Sequence, residues 1–481
     1  MINISKKRIE EEMKFWQIPA MAISVVRDGE SFSEGYGISN VKDNIPCDDC
    51  TDFLIASCSK AMTSAVIAML VQKGLLEYDR PVTEYLHDFK MKDEYTEKNL
   101  TIKDILCHSS GLGGHDAIWP NDKTLSEFIK DFRYLEPNAE LRQKAEYSNI
   151  MYSVLGALAE QVTGKKWPDI LREYLLDPLK MFFSYSSYED TVKDRYIARP
   201  YQYVDGKLTE LKYWNLDSVS PAASVVSNAR DMAKWLTFLI NEGKTSEGER
   251  LLSEELFRGM HAKLVDYEDA LGNDQGLYPT EGYAMGWQPG MYRGHRIVKH
   301  MGKIEGFSSM QMFLPDDKVG VALMMNLHSP SVSVLHILAY EIIDELLGLE
   351  KKDWVSVFRK DTEINADTYR DCDWDLYGEL YSGAVKESRN ISEGVTGIYF
   401  NKGYGRISIR EEQGKLFMKY RNEEYELKAY VSNPYKIEGF KEDIITFTLP
   451  LEFIEDCNEK ITGLRVRFEP LVSDIVFHKE K

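Results

Sequence analysis

The sequence predicts an α+β domain, an antiparallel sheet flanked by helices and carrying a helical subdomain, followed by a C-terminal all-β barrel. Three observations predict it. β-type runs occur at residues 22–36 and again at 296–326, with a mostly helical stretch of about 55–290 between them. Helical patterns stand at both ends of that unit. Beyond residue 390 the hydrophobic period changes to two, in about eight short runs at close spacing.

Taken in order, residues 6–17 have a helical pattern, and residues 22–36 read as a hairpin turning at Asp28-Gly29. Three further strands follow at 296–301, 307–314 and 319–326, the last two joined by Pro315-Asp316-Asp317, and an apolar helix at 332–347 closes the unit. The simplest packing joins both ends in one sheet, with the terminal helices on one face and the helical insertion on the other. This first domain is expected to span residues 1–348. Residues 349–390 are polar and charged and read as a linker with some helix. Strands at 395–400, 406–410, 416–420, 425–430, 435–440, 444–449, 464–468 and 475–478 then make a small closed barrel within residues 391–481.

Composition narrows the function. A chain of 481 residues with 43% hydrophobic content can bury real cores. Its 59 Lys and Arg stand against 78 Asp and Glu, and a net charge of -19 gives no general attraction to phosphate backbones or anionic lipid. Nucleic acid and membranes are therefore not expected partners. No apolar run follows the basic start at Lys6-Lys7-Arg8, and none long enough to span a bilayer occurs, so a cytoplasmic location is expected. Six cysteines do not make a disulfide scaffold, and the one CxxC, Cys47 to Cys50, has no second ligand pair for zinc. With no HExxH, P-loop or dinucleotide fingerprint, no metal or cofactor is expected.

Three short elements could carry chemistry. Ser57-Cys58-Ser59-Lys60 opens an apolar helix that Gly74 stops, and the i, i+3 spacing sets Ser57 and Lys60 on one face beside free backbone N–H groups. The bland alternative is a helix cap and a solvated lysine. However, a lysine leading a helix that is apolar on nearly every face is partly desolvated. Tyr147-Ser148-Asn149 precedes a second apolar helix, where Tyr147 can shuttle a proton and Asn149 can bond Lys60, or both can simply cap and pack. His300-Met301-Gly302 ends a strand, the glycine allowing close approach of a substrate backbone.

In this order and at these separations, the three elements resemble the active-site triplet of the serine β-lactamase and penicillin-binding-protein superfamily: S-x-x-K, then S-D-N or Y-x-N, then K-T-G or a variant. The stretch from Thr101 to Leu112 looks like that family's "ITIRDLLTHTSGL", and Pro221-Ala222-Ala223-Ser224 leading into Ala229-Arg230-Asp231-Met232-Ala233 looks like its "PAGGL…STARDMA". Over roughly 20–348 the resemblance is to the class C β-lactamase-like (CubicO-type) branch that includes D-aminopeptidases and esterases. The C-terminal strands resemble the lipocalin-like barrel attached to some of those peptidases.

The resemblance implies a β-lactamase/transpeptidase-like fold and two-step acyl transfer on a small-molecule or peptide substrate, with Ser57 as nucleophile and the backbone N–H groups of Ser57 and Lys303 as oxyanion hole. A half-neutral Lys60 at pH 7 means a fall from about 10.4, roughly 4.6 kcal/mol, and a Tyr147 phenolate asks roughly 4 kcal/mol. With demands so alike, the base is assigned to the Lys60–Tyr147 pair. Where the best-known members carry a lysine, this chain has His300, mostly neutral at pH 7. That weakens carboxypeptidase and β-lactamase readings and favours aminopeptidase-like or esterase chemistry, with His300 bonding in the Ser57–Tyr147 network. His115, beside Asp116 in the loop after Gly111-Leu112-Gly113-Gly114, and Gly302 are the expected substrate contacts, and Tyr283, Trp287 and Trp214 are candidate pocket walls. The rival readings are a penicillin-binding sensor and a non-catalytic binding protein. Assembly into a homo-oligomer stays open.

Overall fold

The structure is a computed structural model. It describes residues 2–480 apart from 3, 120, 205, 268–279, 329–332, 360–393, 422, 430–434, 441–445, 459 and 470. Both ends of the first unit do meet in one seven-stranded sheet. Its strands are β1 (Ala20–Arg27), β2 (Glu30–Asn40), β3 (Ile45–Pro46), β4 (Gln288–Tyr292), β5 (His295–Ile304), β6 (Phe307–Leu314) and β7 (Val319–Met325). They lie in the order β3-β2-β1-β7-β6-β5-β4, and every ladder is antiparallel. β4 is absent from the sequence reading because Pro289 and Gly290 look like breakers. At a sheet edge a missing N–H costs nothing, and there the strand pairs Gln288 with Lys299 through Tyr292 with His295.

The period of two in β1 divides the cores. Met21, Ile23 and Val25 pack with Ile9 and Met13 of α1 (Lys6–Phe15), with Trp16 that caps its end, and with the helix Ser333–Leu347. Ala20, Ala22 and Val26 join the cluster of the helical insertion. The short side chains on that face admit the helix Ala229–Ile240, whose Ala229 carbonyl accepts from Ser24 and from Ser33 Oγ at 3.1 Å. Trp235 of the same helix donates to Gln311 Oε1 at 2.8 Å.

The expected linker lies largely outside the described residues, but its start is packed. Trp354–Phe358 is a helical turn, Trp354 is buried, and its Nε1 donates to Asp344 Oδ2 at 2.9 Å. Eight strands follow: β8 (Gly397–Asn401), β9 (Gly405–Glu412), β10 (Lys415–Tyr420), β11 (Glu423–Ala429), β12 (Tyr435–Phe440), β13 (Thr446–Glu455), β14 (Ile461–Val466) and β15 (Ile475–Lys479). They form a curled antiparallel sheet whose last strand returns to the first through Tyr399 opposite Lys479 and Phe400 opposite His478. β14 starts and ends earlier than residues 464–468, because Gly463 reads as a breaker yet pairs with Ile454. The apolar cluster under the helical insertion continues into this sheet through Tyr399, Tyr404 and Ile407. Among the described residues no helix is long and apolar enough to cross a membrane.

Candidate active site

Ser57 occupies the middle of a single 3-10 turn, Ala56–Cys58, that feeds the helix Ser59–Gln72. Ala56 is held at φ +45°, a left-handed conformation that a side chain adopts only when its surroundings impose it. Here they do. Ile55 donates its N–H to Val225 O at 2.9 Å and accepts from Ser309 Oγ at 2.7 Å, while Gln311 Nε2 donates to Cys58 O at 2.9 Å. The Cys58 thiol is buried against His300 O at 3.3 Å, and burial raises its pKa to about 12, so it packs as a neutral group.

Gly302 on β5 makes this clamp possible. A Cβ there would stand 2.2 Å from Ile55 O, 2.5 Å from Ser309 Oγ and 3.0 Å from Ser57 N. The glycine was expected to admit substrate backbone. Instead, the space left by its missing side chain is filled by the turn that carries Ser57.

Lys60, one helical turn on, is wholly buried. Its Nζ lies 2.9 Å from Ser57 Oγ, 2.7 Å from Asn149 Oδ1 and 3.2 Å from Ala222 O. It stands over the rings of Tyr147 at 4.7 Å and Tyr152 at 5.4 Å. Desolvation dominates this environment and lowers the lysine pKa to about 7, the Asp116 carboxylate pulling the other way. Desolvation drives the Tyr147 phenol the opposite way, well above its ordinary value, against a hydrogen bond with Ser57. Burial thus separates two groups that looked equivalent in sequence. Near pH 7 the amine is half neutral and the phenol keeps its proton.

Asn149 begins the helix Asn149–Thr163, and its side chain is used at both ends. Oδ1 accepts from Lys60, and Nδ2 donates to Asp116 Oδ1 at 3.2 Å. The Asp116 side chain is exposed on the rim, yet the surrounding protein desolvates its carboxyl enough to raise the pKa to about 6, against the Asn149 hydrogen bond. Sequence reasoning named Asp116 only as the neighbour of His115. The signal that could have found it is the loop Gly111-Leu112-Gly113-Gly114, which frees the chain to turn back toward the Tyr147 element.

Two further expectations need correction. His300 was placed in the Ser57–Tyr147 hydrogen-bond network, but its Nδ1 faces Met301 O at 2.6 Å and its Nε2 faces Tyr283 OH at 2.7 Å. A carbonyl partner puts the proton on Nδ1, so Tyr283 donates to Nε2. Burial, then the charge of Lys60, lowers the imidazole to about 3, which fixes it as neutral. It reaches Tyr147 only by ring contact, at 6.4 Å. His115 was expected to touch substrate, yet it is 1% exposed and both ring nitrogens are engaged, with Tyr404 OH at 2.6 Å and Glu136 O at 3.0 Å. It joins the loop to the C-terminal sheet.

Of the candidate walls, Tyr283 is buried against His300 and His108, and Trp287 is a core ring stacked 6.3 Å from Trp235. Trp214 is half-buried against Trp119, their rings 6.2 Å apart. Lys303, the residue after Gly302, is half-buried on β5 opposite Ser308. Sequence reasoning gave no part to His108, whose ring lies 4.3 Å from that of Tyr147 and whose Nδ1 accepts from Ser148 N at 3.2 Å.

The chain is similar to the unguisins hydrolase ungD of Aspergillus violaceofuscus, with 26% identity over 431 residues, 84% of this chain and 76% of that protein. In three dimensions it resembles the octameric penicillin-binding protein homologue from Pyrococcus abyssi, at TM-score 0.62 and 20% identity over 98% of this chain and all of that one. It also resembles the D-amino acid amidase from Ochrobactrum anthropi SV3, at TM-score 0.58 and 22% identity over 71% of this chain and 98% of that one. Residues 6–341, more than two thirds of the chain, match the family described as Beta-lactamase, and the chain belongs to that family.

Proposed function

We propose that the protein is a serine hydrolase that works through an acyl-enzyme on amide, peptide or ester substrates, D-amino acid amides and peptides among them. The observation that carries this reading is a buried amine with pKa near 7, held 2.9 Å from the Ser57 hydroxyl by Asn149 and Ala222 O. In the neutral form Lys60 takes the Ser57 proton as Oγ attacks the carbonyl carbon. The oxyanion is met by the N–H groups of Ser57 and Lys303, the first pressed against Gly302. Collapse of the tetrahedral intermediate expels an amine or alcohol, which takes a proton from Lys60 directly or through the Tyr147 hydroxyl. Water, deprotonated by the same amine, then releases the acyl group and regenerates Ser57.

Charge around the cleft supports the substrate class. His300 is neutral and the rim carries the Asp116 carboxylate. A substrate bearing a free amine is favoured there over one anchored by a carboxylate, which fits amidase, aminopeptidase or esterase action better than carboxypeptidase or β-lactamase action. The D-amino acid amidase among the structural neighbours fits the same reading. In this reading residues 1–348 are the catalytic domain, 349–390 a linker and 391–481 a lipocalin-like barrel.

Mass spectrometry after exposure to a fluorophosphonate, together with a turnover profile over D- and L-aminoacyl amides and acyl esters, tests the proposal. Labelling of Ser57 with turnover is the expected result. Stable acylation by a penicillin with no turnover of any ester would make the protein a sensor, and absence of labelling would make it a scaffold.

A further inference from the structure

The loop that carries Asp116 is shaped from the far end of the chain. Glu469, between β14 and β15, is 7% exposed, and its Oε2 accepts the His115 backbone N–H at 2.6 Å while Oε1 accepts from Leu471 N at 3.4 Å. Gly114 stands at φ +31°, and a Cβ on it would fall 2.0 Å from Glu469 Oε2 and 2.8 Å from its Cδ. Only a glycine therefore lets the carboxylate seat against this peptide. His115 follows at φ +56°, a costly conformation for a side-chain residue, kept because its ring is bound by Tyr404 OH and Glu136 O. On its other side the loop is tied to the tyrosine element, Gly114 N donating to Tyr147 O at 3.3 Å.

The next residue in this loop is Asp116, and its contact with Asn149 decides an orientation. A side-chain amide can present either end to Lys60, and only the oxygen end accepts from an amine or ammonium. Because Asp116 Oδ1 takes the Nδ2 end, Oδ1 is left for Lys60. The contacts run without a break from Glu469 through the His115 N–H to Asp116, Asn149 and Lys60.

We propose that Glu469, contributed by the C-terminal sheet, is a positioning residue for the Lys60 amine, acting through the backbone of His115, the carboxylate of Asp116 and the amide of Asn149. This rests on Lys60 serving as the base for Ser57. The C-terminal sheet is then a working part of the active site, and the conformation of the rim depends on its being docked.

The test uses the full chain and compares wild type with Glu469→Ala, Glu469→Asp and Glu469→Gln. Two readouts are taken between pH 5 and 9: the second-order rate of Ser57 labelling by a fluorophosphonate, and kcat and KM for an acyl ester. Glu469→Ala is expected to lower labelling and kcat roughly tenfold to a hundredfold with KM little changed, as for a misplaced catalytic group. The acid-side midpoint is also expected to move to lower pH, because the ammonium form of Lys60 loses a fixed acceptor and the held charge of Asp116. Glu469→Gln keeps an oxygen for the His115 N–H and should recover most of the rate. Glu469→Asp, one methylene short, should behave as Ala does, and decides the matter should Glu469→Ala fail to fold. Wild-type rates and midpoint in Glu469→Ala or Glu469→Asp would overturn the proposal, as would a Gln variant no better than Ala. A wild-type protein that does not label at Ser57 would overturn the reading of Lys60 as base instead.

Discussion

The floor of the cleft and its rim are built by different means. On the floor, Ser57 and Lys60 are one helical turn apart, and the turn is clamped by backbone and short side chains of β5 and β6 packed directly beneath it. On the rim, Asp116 is held by Asn149, 33 residues away, and by a peptide bonded to Glu469, 354 residues from His115. The floor sets the Ser57 hydroxyl beside the Lys60 amine; the rim holds one end of the Asn149 amide. A local element can therefore hold reactive groups, whereas tuning them draws on contacts that close only when the whole chain has folded.

The largest effect expected is on the floor. Ser57→Ala should lower ester and amide turnover by about 10⁴-fold or more, since the proposed nucleophile has no substitute, and leave thermal unfolding nearly unchanged. Turnover within tenfold of wild type would separate the activity from this site altogether. Next comes Gly302→Ala, whose Cβ would overlap Ile55 O and crowd Ser57 N. Displacement of the turn should cost roughly a hundredfold in kcat and about 1–3 kcal/mol of stability by denaturant unfolding. Full activity in this variant would show that the clamp is not what aims Ser57.

The pH dependence probes Lys60 on both counts. With its pKa near 7, kcat/KM should fall about tenfold per pH unit below that value and level off above it, with no inflection from His300 in this range. The stability consequence has a definite sign. A lysine that titrates near 7 when folded and near 10.5 when unfolded binds fewer protons in the folded state between those values, so its contribution rises with pH across that window. From pH 7 to 9 wild type should therefore gain on Lys60→Met by about 2–3 kcal/mol in chemical denaturation. A flat difference would mean that the amine is charged in the folded protein. The smallest effect belongs to the rim: Tyr404→Phe removes one buried hydrogen bond to His115 and should cost about 1 kcal/mol of stability, with kcat reduced severalfold at most.

Which parts were legible follows the same division. Ser57, Lys60, Tyr147 and Asn149 stand out because Ser57 and Lys60 lie one turn apart at the head of an apolar helix and Tyr147 stands two residues before Asn149, which begins another, so spacing sets the reach within each pair. The sheet was legible through the alternation of β1 and the apolar runs of β6 and β7, whereas β4 was hidden by a proline and glycine that an edge strand tolerates. The choice between Lys60 and Tyr147 could not be read in advance. Burial moves the two pKa values apart, and burial depends on Ala222, Tyr152 and His108, which no spacing rule connects to the motif. His115 was misplaced for a related reason: a histidine in a glycine-rich loop looks accessible until the C-terminal sheet covers it.

The left-handed alanine just ahead of Ser57 sets a limit on drift at that site. Glycine or asparagine at position 56 would keep the turn, while valine, isoleucine or threonine would drive the backbone into another basin and carry the hydroxyl away from its amine. When related genes are compared, the residue at this one position offers a sieve: a branched side chain there marks a copy whose chemistry has lapsed or whose turn has been rebuilt, even where Ser57 and Lys60 are both intact.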